Sequence, residues 1–362
     1  MPDDLLTWLT TRAWPLWLEY GVDRKAGAFN ESLTLEEYRS TASFRRLRVL
    51  TRQIYVFSKA AEHGLAGAAD TVEMGLTFLL GRARHPDGGY AWRFDLDGNV
   101  IDDRRDLYDH AFALLALASS NKLLPSHNCH EEARSLSEFI STRLRHQQAG
   151  FVESLPLSLP RRQNPHMHLL EAYLTAAESF GDALFLDRAS ELIDLFAEHL
   201  LDKKTGTLPE YFSDALLVET TENRHVWEPG HHCEWIWLLS WYERLTGPSH
   251  RLENAQDLLW QSVRNHGAID DDPTLIDEVW SNGDVKKGTA RLWPQTERLK
   301  SSLAIRHKSP GERARAEAVL KSWLRPDGTW HERRNAEGRL TMEPIPASSL
   351  YHLTCGILFE AS

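Results

Sequence analysis

The sequence predicts an all-α fold, a single domain in which six helical hairpins close into a ring of six inner and six outer helices. Three observations lead there. First, short glycine turns running into an aromatic or apolar residue recur: KAGAF at Gly27, PDGGY at Gly88, QAGFV at Gly150, KTGTL at Gly206, NHGAI at Gly267 and PDGTW at Gly328. Their intervals are 61, 62, 56, 61 and 61 residues, and each holds two helices of about 12 to 20 residues with their connections. Second, DLYDHAFALLALASS, PHMHLLEAYLTAAESF and EWIWLLSWYERL carry apolar residues in an i, i+3, i+4 rhythm. Third, the even spacing leaves no room for a linker, so residues 1–362 are expected to form one domain. Neither end carries a polar capping repeat, which favours closure over an open solenoid.

Taken in order, the second helix of each interval is the more apolar and is expected inside. The segments around 49–60, 107–120, 166–180, 231–245, 294–305 and 347–360 fit that place. Their N-terminal turns then gather at one end of the barrel, where unpaired N–H groups and positive dipole ends make a polar pocket. Strand-like alternation is confined to stretches such as GYAWRFDLDGNV, where DGN marks a small hairpin.

Composition narrows the function. A net charge of -11 opposes a nucleic-acid partner, which needs clustered Lys and Arg. MPDDLLTWLT lacks the basic and apolar regions of a signal peptide, and no uncharged apolar run reaches the ~18 residues of a membrane span. Cys129, Cys233 and Cys355 are odd in number and far apart, as in a reducing, cytoplasmic setting. The 13 Trp and 17 His suit a polar small-molecule pocket with stacking walls. There is no glycine-rich nucleotide loop and no Gly-x-Ser-x-Gly nucleophile motif.

The polar residues near the inner-helix starts lie at similar offsets from the preceding glycine turn: Arg52 at 25, Asp109 at 21, His168 at 18, His231 at 25, Gln295 at 28 and His352 at 24. Residues sharing one phase of six repeats converge on one end of a ring. His231 with Glu234, and His168 with Glu171, are i, i+3 pairs on one helix face, while His232 points about 100° away from His231. Three chemistries compete for them: helix-start histidines satisfied by hydrogen bonds, metal ligands, or proton transfer beside an arginine that steadies an oxyanion. No His-Glu-x-x-His helix and no closely spaced Cys pair supports zinc, so no metal and no cofactor are expected. RLWPQTE offers Trp293 as a stacking face with Gln295 and Glu297 as hydroxyl partners, and YDHAF offers Tyr108 and Asp109, unless Asp109 only caps its helix. WHERRN reads as a solvated charged turn and Cys233 as packing. A glycosidase needs only two acids, but here histidine dominates the pocket.

NPHMHLLEAY, EPGHHCEWIWLL, RLWPQTE, RQIYVFS and SSLYHLTCGI together resemble the N-acylglucosamine 2-epimerase superfamily, most closely its mannose isomerase branch. The resemblance runs from about Arg52 to His352 and implies an (α/α)6 barrel, in agreement with the turn count. It also implies metal-free isomerisation or epimerisation of a monosaccharide through an enediolate. His352 matches the histidine that moves a proton at C2. His231 matches the second histidine, assigned to ring opening or to the opposite face, with Glu234 as its supporting carboxylate. His168 matches a third pocket histidine and Arg52 the arginine near the sugar oxygens, while Trp293, Gln295 and Glu297 match the wall of the sugar site. Tyr108, Asp109, Asn164 and Glu171 complete the expected substrate-binding set. The tail PASSLYHLTC lacks the Gly- and Pro-flanked histidine and following arginine of the epimerases, which favours an isomerase.

The expectation is therefore conversion of free D-mannose to D-fructose by a monomer or homodimer. Alternatives are a 2-epimerase, an isomerase of lyxose, a sulfosugar or mannose 6-phosphate, and a sugar-binding barrel without chemistry.

Overall fold

The computed structural model describes residues 4–269, 272–305 and 311–361. The first helix is α over Leu5–Trp8 (α1), widens to π over Leu9–Ala13 and returns to α over Trp14–Tyr20 (α2). Five hairpins follow: Leu47–Glu62 (α3) with Ala68–Leu80 (α4), Leu107–Ser120 (α5) with Cys129–Arg143 (α6), Gln163–Phe180 (α7) with Ala183–Leu195 (α8), Pro229–Thr246 (α9) with His250–His266 (α10), and Leu292–Ala304 (α11) with Glu312–Trp323 (α12). The sixth inner helix, Ala347–Ala361 (α13), packs on α3 and closes the ring. Its outer partner is the first helix of the chain, where Trp14 Nε1 donates to Thr354 Oγ1 at 3.0 Å.

The segments expected inside are inside, with one correction. Each is the first helix after its glycine turn, because the turn follows the outer helix, as Gly88 follows α4. An inner helix is covered on both flanks and from behind, so it reads apolar nearly all round; α5 is buried along its length except at Tyr108. The outer α10 instead buries one stripe, from Leu252 through Leu259 to Val263.

A strand of two residues precedes each inner helix and pairs antiparallel with another short strand, for example Arg45–Arg46 with Arg93–Phe94 and Ala290–Arg291 with Arg333–Arg334. The last such pair, Ile345–Pro346 with Ser32–Leu33, joins the two ends of the chain a second time. The hairpin read from DGN is present, Arg93–Phe94 pairing with Val100–Asp102. The other strands escaped notice because two residues show no alternation. No helix among the described residues is long and apolar enough to cross a membrane.

The glycine turns are tied to the inner helices by a repeated device. His110, His166 and His232 are the fourth residues of α5, α7 and α9, and their Nε2 atoms accept the N–H groups of Tyr90, Phe151 and Leu208 at 3.0, 3.0 and 2.9 Å. Nδ1 of His110 donates to the Asp106 carbonyl and that of His166 to the Arg162 carbonyl, at 2.7 and 2.9 Å. Gln295, the fourth residue of α11, does the same with an amide, accepting from Leu275 N–H and donating to the Arg291 carbonyl. The histidine leaves no room for a side chain on the turn: a Cβ at Gly89, whose φ is +75°, would lie 2.5 Å from His110 Nε2. The fifth turn departs from the pattern, since Gly267 ends α10 with an ordinary φ of -77°.

Replacing His110 or His166 by Ala strands a buried N–H, so each is expected to cost about 1–3 kcal/mol in urea unfolding while leaving the KM for substrate unchanged.

Candidate active site

The site follows from one register. Counted from the start of each inner helix, the sixth residues are Arg52, Phe112, His168, Glu234, Glu297 and His352. They touch in sequence around the axis. The Arg52 guanidinium lies 4.1 Å from the Phe112 ring centre, and the Phe112 and His168 rings are 4.6 Å apart. His168 Nδ1 is 3.5 Å from a Glu234 oxygen, and Glu297 Oε1 is 2.9 Å from His352 Nδ1. One turn deeper, the ninth residues are Tyr55, Leu115, Glu171, Trp237, Lys300 and Cys355. This second layer separates two cavities. The one above, of about 340 Å³, is lined by Arg52, His168, Glu234 and His352 from the first layer, with Tyr108, Asn164, His231 and Trp293 as walls. The other, of about 920 Å³, opens at the opposite end over Tyr55, Glu171, Trp237 and Cys355. The smaller cavity collects His168, His231, His352 and Arg52 at the helix N-termini.

Its two principal histidines are shifted in opposite directions. Burial drives the pKa of His352 down to about 3 although Glu297 pulls the other way, so its ring is neutral. Glu297 accepts a hydrogen bond from Nδ1–H, which leaves the Nε2 lone pair available. Burial also opposes protonation of His231, but the carboxylates of Glu210, 2.9 Å from its Nδ1, and Glu228 prevail and raise its pKa. Trp293 lies between the two, its ring centre 4.9 Å from that of His231 and 5.6 Å from that of His352. Asn164 reaches His231 Nε2 at 3.1 Å through its amide nitrogen, and its Oδ1 has no partner. A turned amide lets that oxygen accept from the protonated ring.

Beneath them, burial lowers His168 to about 4 despite its 3.2 Å contact with Glu171. Glu297 is held down at about 2 against burial, chiefly by the Lys300 ammonium 2.6 Å away. Burial, and next the Glu297 carboxylate, push Glu234 far up, and neither of its oxygens has a hydrogen-bond partner among the described residues. Glu234 is therefore a neutral acid facing the cavity. Arg52 donates to Tyr108 Oη at 2.6 Å and has no carboxylate partner among the described residues.

Several sequence expectations are corrected by these positions. Gln295 serves the turn of its own hairpin and does not line the cavity. Asp109 is buried under the pocket in a two-pronged pair with Arg48, at 3.2 and 2.9 Å; the residue that caps α5 is Asp106. Glu171 and Glu297 stand behind histidines instead of facing the substrate space. His231 is supported by Glu210, not by Glu234. His232 serves its glycine turn. WHERRN is no idle charged turn, since Glu332 and Arg333 line the cavity mouth with Glu228 and Arg291. Cys233 is buried, its thiol pushed up to about 12 by burial, in keeping with packing. Glu210 and Lys300 were missed, although the sixth-residue register points to Lys300 as the next turn behind Glu297.

Two groups have donor types that suit a divalent cation: His168, Glu171 and Glu234, and Glu210, Glu228 and His231, each with ligand atoms within 4.8 Å of one another. In both, atoms are already engaged: Glu171 accepts from Tyr351, and Glu210 holds His231.

The profile of the N-acylglucosamine 2-epimerase family matches residues 29–356. The chain belongs to that family. Among curated members, a mannose-6-phosphate isomerase of Rhizobium meliloti (strain 1021) is 35% identical over 370 residues, covering 98% of this chain and 95% of the other. A D-mannose isomerase of Thermobifida fusca is 28% identical over 242 residues, 61% of this chain and 59% of that one. The fold superposes on a crystal structure of D-mannose isomerase with a TM-score of 0.88 at 18% identity, over 99% of this chain and 98% of that one. The helical ring is thus the (α/α)6 barrel of N-acylglucosamine 2-epimerase relatives, a family of sugar isomerases and epimerases.

Lys300 is fully buried among Glu297, Glu234 and Glu171. Lys300→Met leaves those acids without their cation and is expected to cost about 3–5 kcal/mol in urea unfolding, far more than the same change at the surface.

Proposed function

We propose that the protein interconverts free D-mannose and D-fructose by proton transfer through an enediolate. The observation that carries this reading is the split between two imidazoles on one cavity: His352, which burial holds neutral, and His231, which its carboxylates push toward the protonated form, each fixed at Nδ1 by a buried carboxylate, with the Arg52 guanidinium, which has no carboxylate partner among the described residues, in the floor. Paired groups whose surroundings push their pKa values apart define an acid and a base. Membership of a sugar isomerase and epimerase family and the likeness to a D-mannose isomerase support the same substrate class.

His231 donates a proton to the ring oxygen of the bound aldose as the C1–O5 bond breaks, and recovers the proton that the anomeric hydroxyl loses in becoming the C1 carbonyl, while Trp293 carries the sugar face. His352 Nε2 takes the proton from C2. The C2–H electron pair becomes the C1=C2 double bond, and the C1 carbonyl electrons move to O1, where Arg52 steadies the negative charge. His352 then returns the proton to C1 as the O2 hydroxyl passes its hydrogen to O1, so that O1 becomes the 1-hydroxyl and C2 the carbonyl of fructose. No step calls for a metal. Delivery of the proton to the other face of C2 would give the 2-epimer, so glucose among the products marks epimerisation. The Rhizobium meliloti relative favours a second reading, the same chemistry on mannose 6-phosphate, which a substrate panel separates.

In heavy water, fructose formed from mannose is expected to carry deuterium at C1, and saturating EDTA is expected to leave the rate unchanged; loss on chelation with recovery on a divalent metal overturns the metal-free account. His352→Asn is expected to lower kcat by at least about 100-fold with the fold intact, the usual scale for removing a general base. The pH profile follows from the two histidines. The base must be unprotonated, which holds above about pH 3, and the acid must be protonated, which fails as pH rises past a His231 pKa above the ordinary imidazole value of 6.5. The expected kcat/KM is flat through weakly acidic pH and falls on the alkaline side.

A further inference from the structure

The loops carry a second sixfold pattern that the chemistry above leaves unused. The residue before the second strand of each ladder is Glu31, Trp92, Glu153, Glu210, Asp277 and Glu332, so five of the six are acids. In three cases the carboxylate is neutralised by the arginine that immediately precedes the next inner helix. Glu31 accepts from Arg46 N and Nε at 2.6 and 2.7 Å, Glu153 from Arg162 N and Nε at 2.6 and 2.8 Å, and Asp277 from Arg291 Nε at 2.7 Å.

In the other two the arginine is replaced. Before α9 the residue is Glu228, and Glu210, with no arginine to pair, grips His231, the third residue of that helix. Before α13 it is Pro346, and Glu332 accepts from Ser349 Oγ, the third residue of α13, at 2.9 Å and from Trp330 Nε1 at 3.0 Å. Glu210 and Glu332 thus hold equivalent places; Glu210 stays buried behind His231, whereas Glu332 lines the cavity. Glu332 forms no ion pair among the described residues, and burial pushes its carboxyl up to about 7. A carboxylate has about four acceptor positions, and two are filled here. Glu332 is half-buried on the cavity wall, so its remaining positions are open to a ligand that completes its hydrogen bonds.

We propose that Glu332 is a substrate-holding residue that sets specificity, accepting a hydrogen bond from a hydroxyl of the uncharged sugar bound before His231 and His352. This rests on the isomerase reading and extends it to the choice of substrate. A phosphate at that hydroxyl would meet the carboxylate, whereas a hydroxyl satisfies it.

The test is the steady-state kinetics of Glu332→Gln on mannose and on mannose 6-phosphate, with wild type as control. The expected result is a KM for mannose raised about 10- to 100-fold, the scale of a hydrogen bond to a charged group, with kcat within about twofold. The preference for mannose over its 6-phosphate is expected to shrink. Unchanged KM, or a fall in kcat with KM unchanged, overturns the proposal. Should Glu332→Gln fail to fold, Ser349→Ala, which unties the carboxylate, must raise KM in the same direction, and an unchanged KM there overturns it too. A wild type that turns over neither sugar defeats the isomerase reading itself; turnover with Glu332→Gln kinetics equal to wild type defeats this inference alone.

Discussion

The ammonium of Lys300 is the interaction on which the rest of the site depends. It lies on the barrel axis, 2.6 Å from Glu297 and 3.9 Å from the Trp237 ring centre, with no exposure to solvent. Three carboxyl groups, from Glu171, Glu234 and Glu297, share that dry interior, and they cannot all be ionised there without a counter-charge. Lys300 selects Glu297 to carry charge, and Glu297 in turn fixes the His352 tautomer. Glu234 stays neutral because the one nearby ammonium is already engaged. The protonation pattern above the layer is thus set by a residue that never reaches the cavity.

The ring supplies the geometry. Six inner helices start at one level, so equal counting along each brings equivalent side chains to the axis. In four of the helices the fourth residue turns outward to tie down a loop; four of the sixth residues line the cavity, and the ninth residues form the plug beneath it. Hydrogen-bonded turns hold the helix starts at that level, which keeps His231 and His352 facing each other across Trp293. Helix N-termini pointing into the cavity add positive ends where the proposed enediolate would carry its negative charge. Recurrence also explains how a repeat becomes functional: where the usual arginine is missing, an acid that is structural elsewhere becomes available to the site.

Much of this was readable in advance, and the failures have specific causes. The even glycine turns gave the number of hairpins, and Arg52, His168, His231 and His352 do meet at one end. Offsets from the glycine turns, however, mixed three registers because the loops differ in length. Gln295 belongs to the fourth-residue set, Asp109 and His231 to the third, and the rest to the sixth. Polarity alone could not tell a histidine that holds a loop, such as His166, from one that faces substrate, such as His168, two residues later. Glu210 and Glu332 were invisible because their roles depend on what precedes a different helix.

The sequence by itself determined the repeat number, the helical class, the inner segments and the set of histidines from which the site is drawn. Those follow from local periodicity and from turn chemistry, which are written in neighbouring residues. Only the tertiary structure decided which histidine is held neutral and which is pushed toward protonation, which carboxylate serves each, and which acids are left without cations. Those properties arise from burial and from charges on other helices, such as the attraction between Lys300 on α11 and the carboxylates of α7 and α9. Charge states in a dry interior are set by neighbours in space, and closure of the ring alone brings those neighbours together.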